Sequence, residues 1–149
     1  MRHRPRAGAA LILAAGALVL GGATPTHEVT VSVTHLRSTK GVVRACMTSD
    51  QARFPKCAGD ASSHRLVVPA ATATKLTFRN VAPGRYAIAL LHDENANGKA
   101  DRAMGMMPKE GFGFSRDAPV RMAPPKYADA VFPVGDKDMS LTIKMRYML

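Results

Sequence analysis

The sequence predicts an all-β fold, an antiparallel β-sandwich of about seven strands. Three observations carry that expectation. Apolar residues recur at every second position in several stretches, the period of a half-buried strand. Clusters of Gly, Pro and Asn separate those stretches and supply turn chemistry. No 3.6-residue period persists long enough beyond the first residues to mark a helix. A chain of 149 residues is expected to hold one domain. That domain is placed at residues 24–149, behind a leader at 1–23.

The leader has the order of a secretory signal peptide. Arg2, Arg4 and Arg6 come first with no acid, then the apolar run Ala9 to Leu20, then Gly21, Gly22 and Ala23. The apolar run is short for a membrane helix, which needs about 20 residues. An uncleaved anchor is the rival reading. Cleavage near Thr24 implies an exported protein with no stable membrane span afterwards, periplasmic or secreted if the source is a bacterium. No cysteine stands at the cleavage point, which argues against a lipoprotein.

Residues 28–36 alternate: Val29, Val31, Val33 and His35 share one face, and Thr30, Ser32 and Thr34 the other. A second strand covers residues 41–48, with Val43, Ala45 and Met47 on one side. Residues 53–63 are polar and hold Pro55, Cys57 and Gly59, so they read as a loop. Residues 65–68 form a short strand, and residues 74–81 another with Leu76 and Phe78 inward. After Pro83-Gly84, residues 85–92 are apolar on both faces, which marks a central strand. Residues 102–127 are rich in Gly, Pro and Met and read as a long irregular excursion. Residues 129–134 suit an edge strand, because Pro133 cannot donate to a ladder. The chain closes on residues 138–148, with Met139, Leu141, Ile143, Met145 and Tyr147 inward.

Cys46 and Cys57 are the two cysteines. In an oxidising compartment an even pair reads as a disulfide, worth about 2–3 kcal/mol for so short a loop. A redox pair would normally be C-x-x-C, and a zinc site needs more ligands.

The stretch with the most specific chemistry is His92-Asp93-Glu94-Asn95-Ala96-Asn97-Gly98-Lys99-Ala100-Asp101. Read as D-x-N-x-N-G-x-x-D, it is most of a calcium loop. Asp93, Asn95 and Asn97 offer three oxygens, Lys99 a backbone carbonyl, and Asp101 a closing carboxylate. Gly98 permits the sharp turn, since glycine takes φ > 0 without steric cost. The twelfth position, a bidentate glutamate in an EF-hand, is Met104, so this is not an EF-hand. A site of this kind would be weak, on the order of 0.1–1 mM. The same residues also make a plain Asx turn with no metal. The expected cofactor is therefore Ca2+ or none. His92 is expected to donate a ring N–H to a loop carboxylate or carbonyl and so support the loop.

Charge excludes little but directs the reading. The chain has 21 Lys and Arg against 11 Asp and Glu, a formal net charge of +10. Cleavage would remove three arginines and leave about 18 against 11, near +7. The basic residues are dispersed, and an exported protein rarely meets nucleic acid, so a solvated surface is expected and no nucleic-acid partner. The expected partner is an envelope component or a small ligand.

Two motifs carry a resemblance. Gly84-Arg85-Tyr86-Ala87-Ile88 leads into His92-Asp93-Glu94-Asn95-Ala96-Asn97-Gly98, and Pro108-Lys109-Glu110-Gly111-Phe112-Gly113-Phe114-Ser115 follows. Over residues 29–147 the chain resembles the bacterial family called domain of unknown function 2141. The resemblance implies a small exported sandwich of the prealbumin-like kind, and it implies no activity. Familiar members have aliphatic residues where this chain has Met104, Met106 and Met107.

Further readings follow from single stretches. Met104, Met106 and Met107 with His92 offer soft ligands for Cu(I), whereas methionine elsewhere is apolar filler. Glu110, Phe112 and Phe114 read either as a strand with rings packed on the sheet or as an exposed ledge for a ligand. His35 reads as a core-edge histidine, and His27 and His64 as solvated. A hydrolase acting through Asp93, Glu94 and Asp101 is the alternative to a binding or structural module. The chain has no Trp, three Tyr and five Phe, too few for an aromatic-lined substrate cleft. Ser62-Ser63-His64 lacks a nucleophile elbow. An enzyme is thus the weaker expectation.

Overall fold

The computed structural model describes residues 21–149; the leader reading for residues 1–20 lies outside the described residues. Strands β1 (His27–Thr34), β2 (Val42–Thr48), β3 (His64–Pro69), β4 (Lys75–Val81) and β5 (Gly84–Asp93) come first. Then follow β6 (Arg102–Ala103), β7 (Met107–Pro108), β8 (Gly111–Phe114), β9 (Phe132–Val134) and β10 (Met139–Lys144). One sheet has the order β10-β1-β4 and the other β3-β2-β5-β8, with β9 also on β5. No helix among the described residues is long and apolar enough to cross a membrane.

Period-two patterning builds the core directly. Val29, Val31 and Val33 of β1, Leu76 and Phe78 of β4 and Ile143 of β10 face inward from one sheet. Val43, Ala45 and Met47 of β2 and Ile88 and Leu90 of β5 meet them from the other. β5 is apolar on both faces because its second face is covered too. Ala87 packs there with Phe114, Ala118 and Ala130, flanked by Phe54, Phe112 and Tyr127. Along its free edge β5 takes β8 opposite Ala89 to His92 and β9 opposite Gly84 to Tyr86. Ser115, fully buried, closes the gap between them: its hydroxyl accepts the Ile88 N–H at 2.9 Å and donates to the Ala130 carbonyl at 2.6 Å. Cys46 and Cys57 form the disulfide that staples the 49–63 loop to β2.

Five expectations are corrected. β1 and β10 run parallel, so the sheets are not purely antiparallel; side-chain alternation carries no information on strand direction. Residues 102–127 are not one irregular excursion: they contain the β6–β7 hairpin and β8. The edge strand starts at Phe132, since residues Tyr127–Ala130 form a single helical turn. His35 is exposed at φ 61, past the end of β1, so it does not continue the valine face. His27 and His64 are half-buried rather than solvated; His64 packs its ring edge-on to Tyr86 at 6.1 Å, and burial lowers its pKa.

Candidate functional site

The end of β5 delivers two fully buried polar side chains in succession, His92 and Asp93. A buried imidazole must satisfy both nitrogens. His92 Nε2 lies 2.9 Å from the Lys40 carbonyl, which only accepts, so Nε2 carries the proton. Nδ1 then accepts from the Tyr147 hydroxyl at 2.7 Å. His92 is thus locked to the link between β1 and β2 and to the C-terminal segment. It supports the loop from behind and touches no loop carboxylate.

Asp93 is the brace of the loop. Its Oδ2 accepts from Arg44 Nε at 2.7 Å and from the Gly98 N–H at 2.8 Å, and Oδ1 from the Asn97 N–H at 3.0 Å. Arg44 reaches it because Val42, two residues earlier on the same face of β2, stands opposite Asp93. Burial opposes ionisation of Asp93, but the bonds from Arg44, Gly98 and Asn97 outweigh it and hold its pKa low.

The loop tip is a run of Asx turns. Asn95 Oδ1 accepts the Asn97 N–H at 3.2 Å, and Asn97 Oδ1 accepts the Lys99 N–H at 2.9 Å. Both asparagine amides donate to Asp101 Oδ2, at 2.7 and 2.8 Å. Gly98 takes the expected positive φ of 79, and Ala96 joins it at 55. Lys99 is exposed.

Glu110 joins this group from a distance in sequence. The β6–β7 hairpin turns on Met104 and Gly105, both at positive φ, and folds the chain back so that the Lys109 N–H meets the Asp101 carbonyl at 2.9 Å. Glu110 Oε2 accepts the Asp101 N–H at 3.2 Å. Burial, with the Asp93 and Asp101 charges beside it, raises the Glu110 pKa. An open cleft of about 250 Å³ is lined by Arg37, Glu94, Asn95, Asp101, Lys109 and Glu110. A larger hollow, about 440 Å³, lies between the start of β1, the end of β4 and Asp138, remote from this chemistry.

Arg37 walls the cleft. Its guanidinium lies 4.4 Å from the centre of the Tyr147 ring and pairs with Glu94, Nη2 to Oε2 at 2.6 Å and Nε to Oε1 at 3.2 Å. It also donates to the Lys109 carbonyl at 2.9 Å and to the Leu149 carbonyl. Ser38 adds a bond to Glu94 at 2.8 Å. With these donors Arg37 first, and then Ser38, hold the Glu94 pKa at about 2, down from 4.5. A pKa lowered by folding adds stability above the unfolded value and loses it as pH falls through the folded one. At full burial a drop of this size is worth about 3 kcal/mol; the half-exposed Arg37 reduces that to roughly 1–2 kcal/mol. Urea unfolding at pH 5 and pH 2.5 should therefore show Glu94→Gln losing about 1 kcal/mol less across this interval than the parent protein. Equal losses would mean the pair does not couple to stability.

The remaining sequence candidates separate from this cluster. Phe114 is buried and Phe112 half-buried in the second apolar cluster, and Glu110 is buried, so the three form no exposed ledge. Met104 is 96 % exposed and Met106 78 %, so these methionines are not core filler. His92, with both nitrogens bonded, does not join them. Among the described residues no three His, Cys, Asp or Glu side chains are arranged to hold a metal ion. Sequence reasoning did not find Arg44, Arg37 or the approach of Glu110 to the loop. The visible signal was Arg44, a lone charge in the strand Val42–Thr48.

A family model described as an uncharacterized protein conserved in bacteria (DUF2141) matches residues 31–142. No curated protein and no solved structure matches the chain.

Proposed function

The chain belongs to the DUF2141 family of bacterial proteins, and we propose that it is an exported β-sandwich of the cell envelope that binds rather than transforms its ligand, holding calcium at the acidic loop. One observation carries this reading. Carboxylates from two separate segments, Asp101 on one and Glu110 on the other, meet at one cleft, with the Asn95 and Asn97 amides fixing Asp101. Carboxylate oxygens suit a hard cation such as calcium, and Arg37 and Lys109 line the same cleft.

Export is supported by the order of residues 1–23 and by the Cys46–Cys57 bridge, since disulfides persist in oxidising compartments. The sandwich is supported by two sheets that share one core. Two of the three carboxylates of the hydrolase alternative are committed, Asp93 to Arg44, and Glu94 to Arg37 and Ser38, which leaves Asp101 on the cleft. A general acid or base needs a carboxyl free to meet a substrate proton.

The test uses protein recovered from the periplasm, whose mass should show a start near Thr24. Its melting temperature is measured with and without millimolar calcium. A ligand bound only by the folded state stabilises it by RT ln(1 + [L]/Kd), about 1–3 kcal/mol at ten to a hundred times Kd. Magnesium should give a smaller rise, because it demands stricter geometry. An unchanged melting curve would leave the loop as a turn. The exposed Met104, Met106 and Met107 favour Cu(I) as the second reading, without His92. Stabilisation by Cu(I) and not by calcium would move the site to the hairpin.

A further inference from the structure

The loop lacks the acid that an EF-hand carries at its twelfth position, where this chain has Met104. The fold brings a different carboxylate to the same end of the loop. Glu110 is 5 % exposed and reaches the loop through the β6–β7 hairpin. Its Oε2 is held by the Asp101 N–H, while Oε1 is buried with no hydrogen-bond partner. A buried carboxylate oxygen without a donor is costly, and native proteins rarely leave one so.

The neighbouring charges do not supply what Oε1 lacks. Arg44 is committed to Asp93, and Arg37 to Glu94 and the Lys109 and Leu149 carbonyls. Lys109 is an exposed side chain on the rim of the cleft. Asp101, on the same cleft, adds a second carboxylate, and both asparagine amides fix its Oδ2. Two carboxylates facing one cleft need a positive charge between them.

We propose that Glu110 and Asp101 are the carboxylate ligands of a hard divalent cation, with Asn95 and Asn97 as positioning residues and Asp93 as a structural brace. This rests on the calcium reading above and replaces its expected ligand set. Asp93 lies beside Glu110, but Arg44, Asn97 and Gly98 already donate to both of its oxygens. Water from the open cleft completes the coordination. The site is correspondingly weak. Calcium and magnesium share this chemistry, and the irregular oxygen set favours calcium.

The test is calorimetric titration of calcium chloride, and separately magnesium chloride, into the mature protein at pH 7. The wild type, Glu110→Gln, Glu110→Asp and the exposed control Asp136→Asn are compared. Glu110→Asp keeps the charge and withdraws the carboxyl by one methylene, so it guards against a glutamine variant that fails to fold. One calcium per chain is expected, tighter than magnesium. Both Glu110 variants should bind at least tenfold more weakly, and Asp136→Asn should bind as the wild type does. If the wild type binds calcium and both Glu110 variants bind equally well, the ligand assignment falls and the calcium reading stands. If the wild type binds neither ion, both fall.

Discussion

Asp93→Ala is expected to destabilise the domain by about 3 kcal/mol, seen as a melting temperature roughly 10–15 °C lower even without any cation. The side chain is fully buried, so its removal returns nothing to solvent. It strands the N–H groups of Asn97 and Gly98 and leaves the Arg44 guanidinium without its partner. Breaking a buried ion pair by deleting one member costs more than the pair contributes, because the remaining group stays desolvated. Arg44 is about one-third exposed, which lets it find water and keeps the estimate at the lower end. Asp93→Asn should cost roughly half as much, since the amide oxygen still accepts a backbone bond. Asp101→Ala is the contrast. Asp101 is half-exposed and receives two asparagine amides that can turn to water, so its loss should cost below about 1 kcal/mol. Near-equal melting of the two alanine variants would remove Asp93 from the role of brace.

That contrast was not legible in the sequence, where Asp93 and Asp101 are two acids in one calcium-like pattern. Local spacing describes which side chains can converge on a loop. It does not describe which of them a distant cation has already taken. Arg44 reaches Asp93 only through the antiparallel register of β2 and β5, and that register follows from packing of the whole sheet. Glu110 reaches Asp101 only because a hairpin closes between them. The strands themselves were legible, because alternation in β1, β2, β4 and β10 is a direct image of one buried face. β5 was legible as central because both of its faces are apolar. β8 was legible only as one of two alternatives, since Gly111-Phe112-Gly113-Phe114 has aromatic residues but none of the β-branched ones that mark a strand. Its glycines are steric: a Cβ at Gly111 would stand 2.2 Å from the Tyr147 ring, and one at Gly113 2.8 Å from Ile143. Close approach of this kind leaves no pattern in a single sequence.

Gly41→Ala is expected to cost about 4 kcal/mol or to prevent folding. Gly41 has φ +66, and a Cβ there would stand 2.0 Å from the Asp93 carbonyl oxygen and 2.7 Å from the Glu94 backbone. These are backbone atoms at the exit of β5 and cannot swing aside as a side chain can. The glycine cannot retreat either. Its own carbonyl accepts the Ala70 N–H at 3.0 Å, and the carbonyl before it accepts the His92 ring N–H at 2.9 Å. Relief therefore requires β5 and the β1–β2 link to part, which pulls Asp93 from Arg44 and opens the loop. Two other glycines separate the contributions. Gly105 has φ +73 with nothing within 4 Å of its Cβ position, so Gly105→Ala meets only the left-handed strain, about 1 kcal/mol. Gly135 also has nothing within 4 Å and no positive φ, so Gly135→Ala should be neutral or stabilise by a few tenths of a kcal/mol. Thermal unfolding of the three variants should rank them Gly41→Ala far below Gly105→Ala, and that below Gly135→Ala. If Gly41→Ala and Gly105→Ala melt together, strain alone sets the cost, and the close approach of the two backbones at the loop is not what requires glycine at position 41.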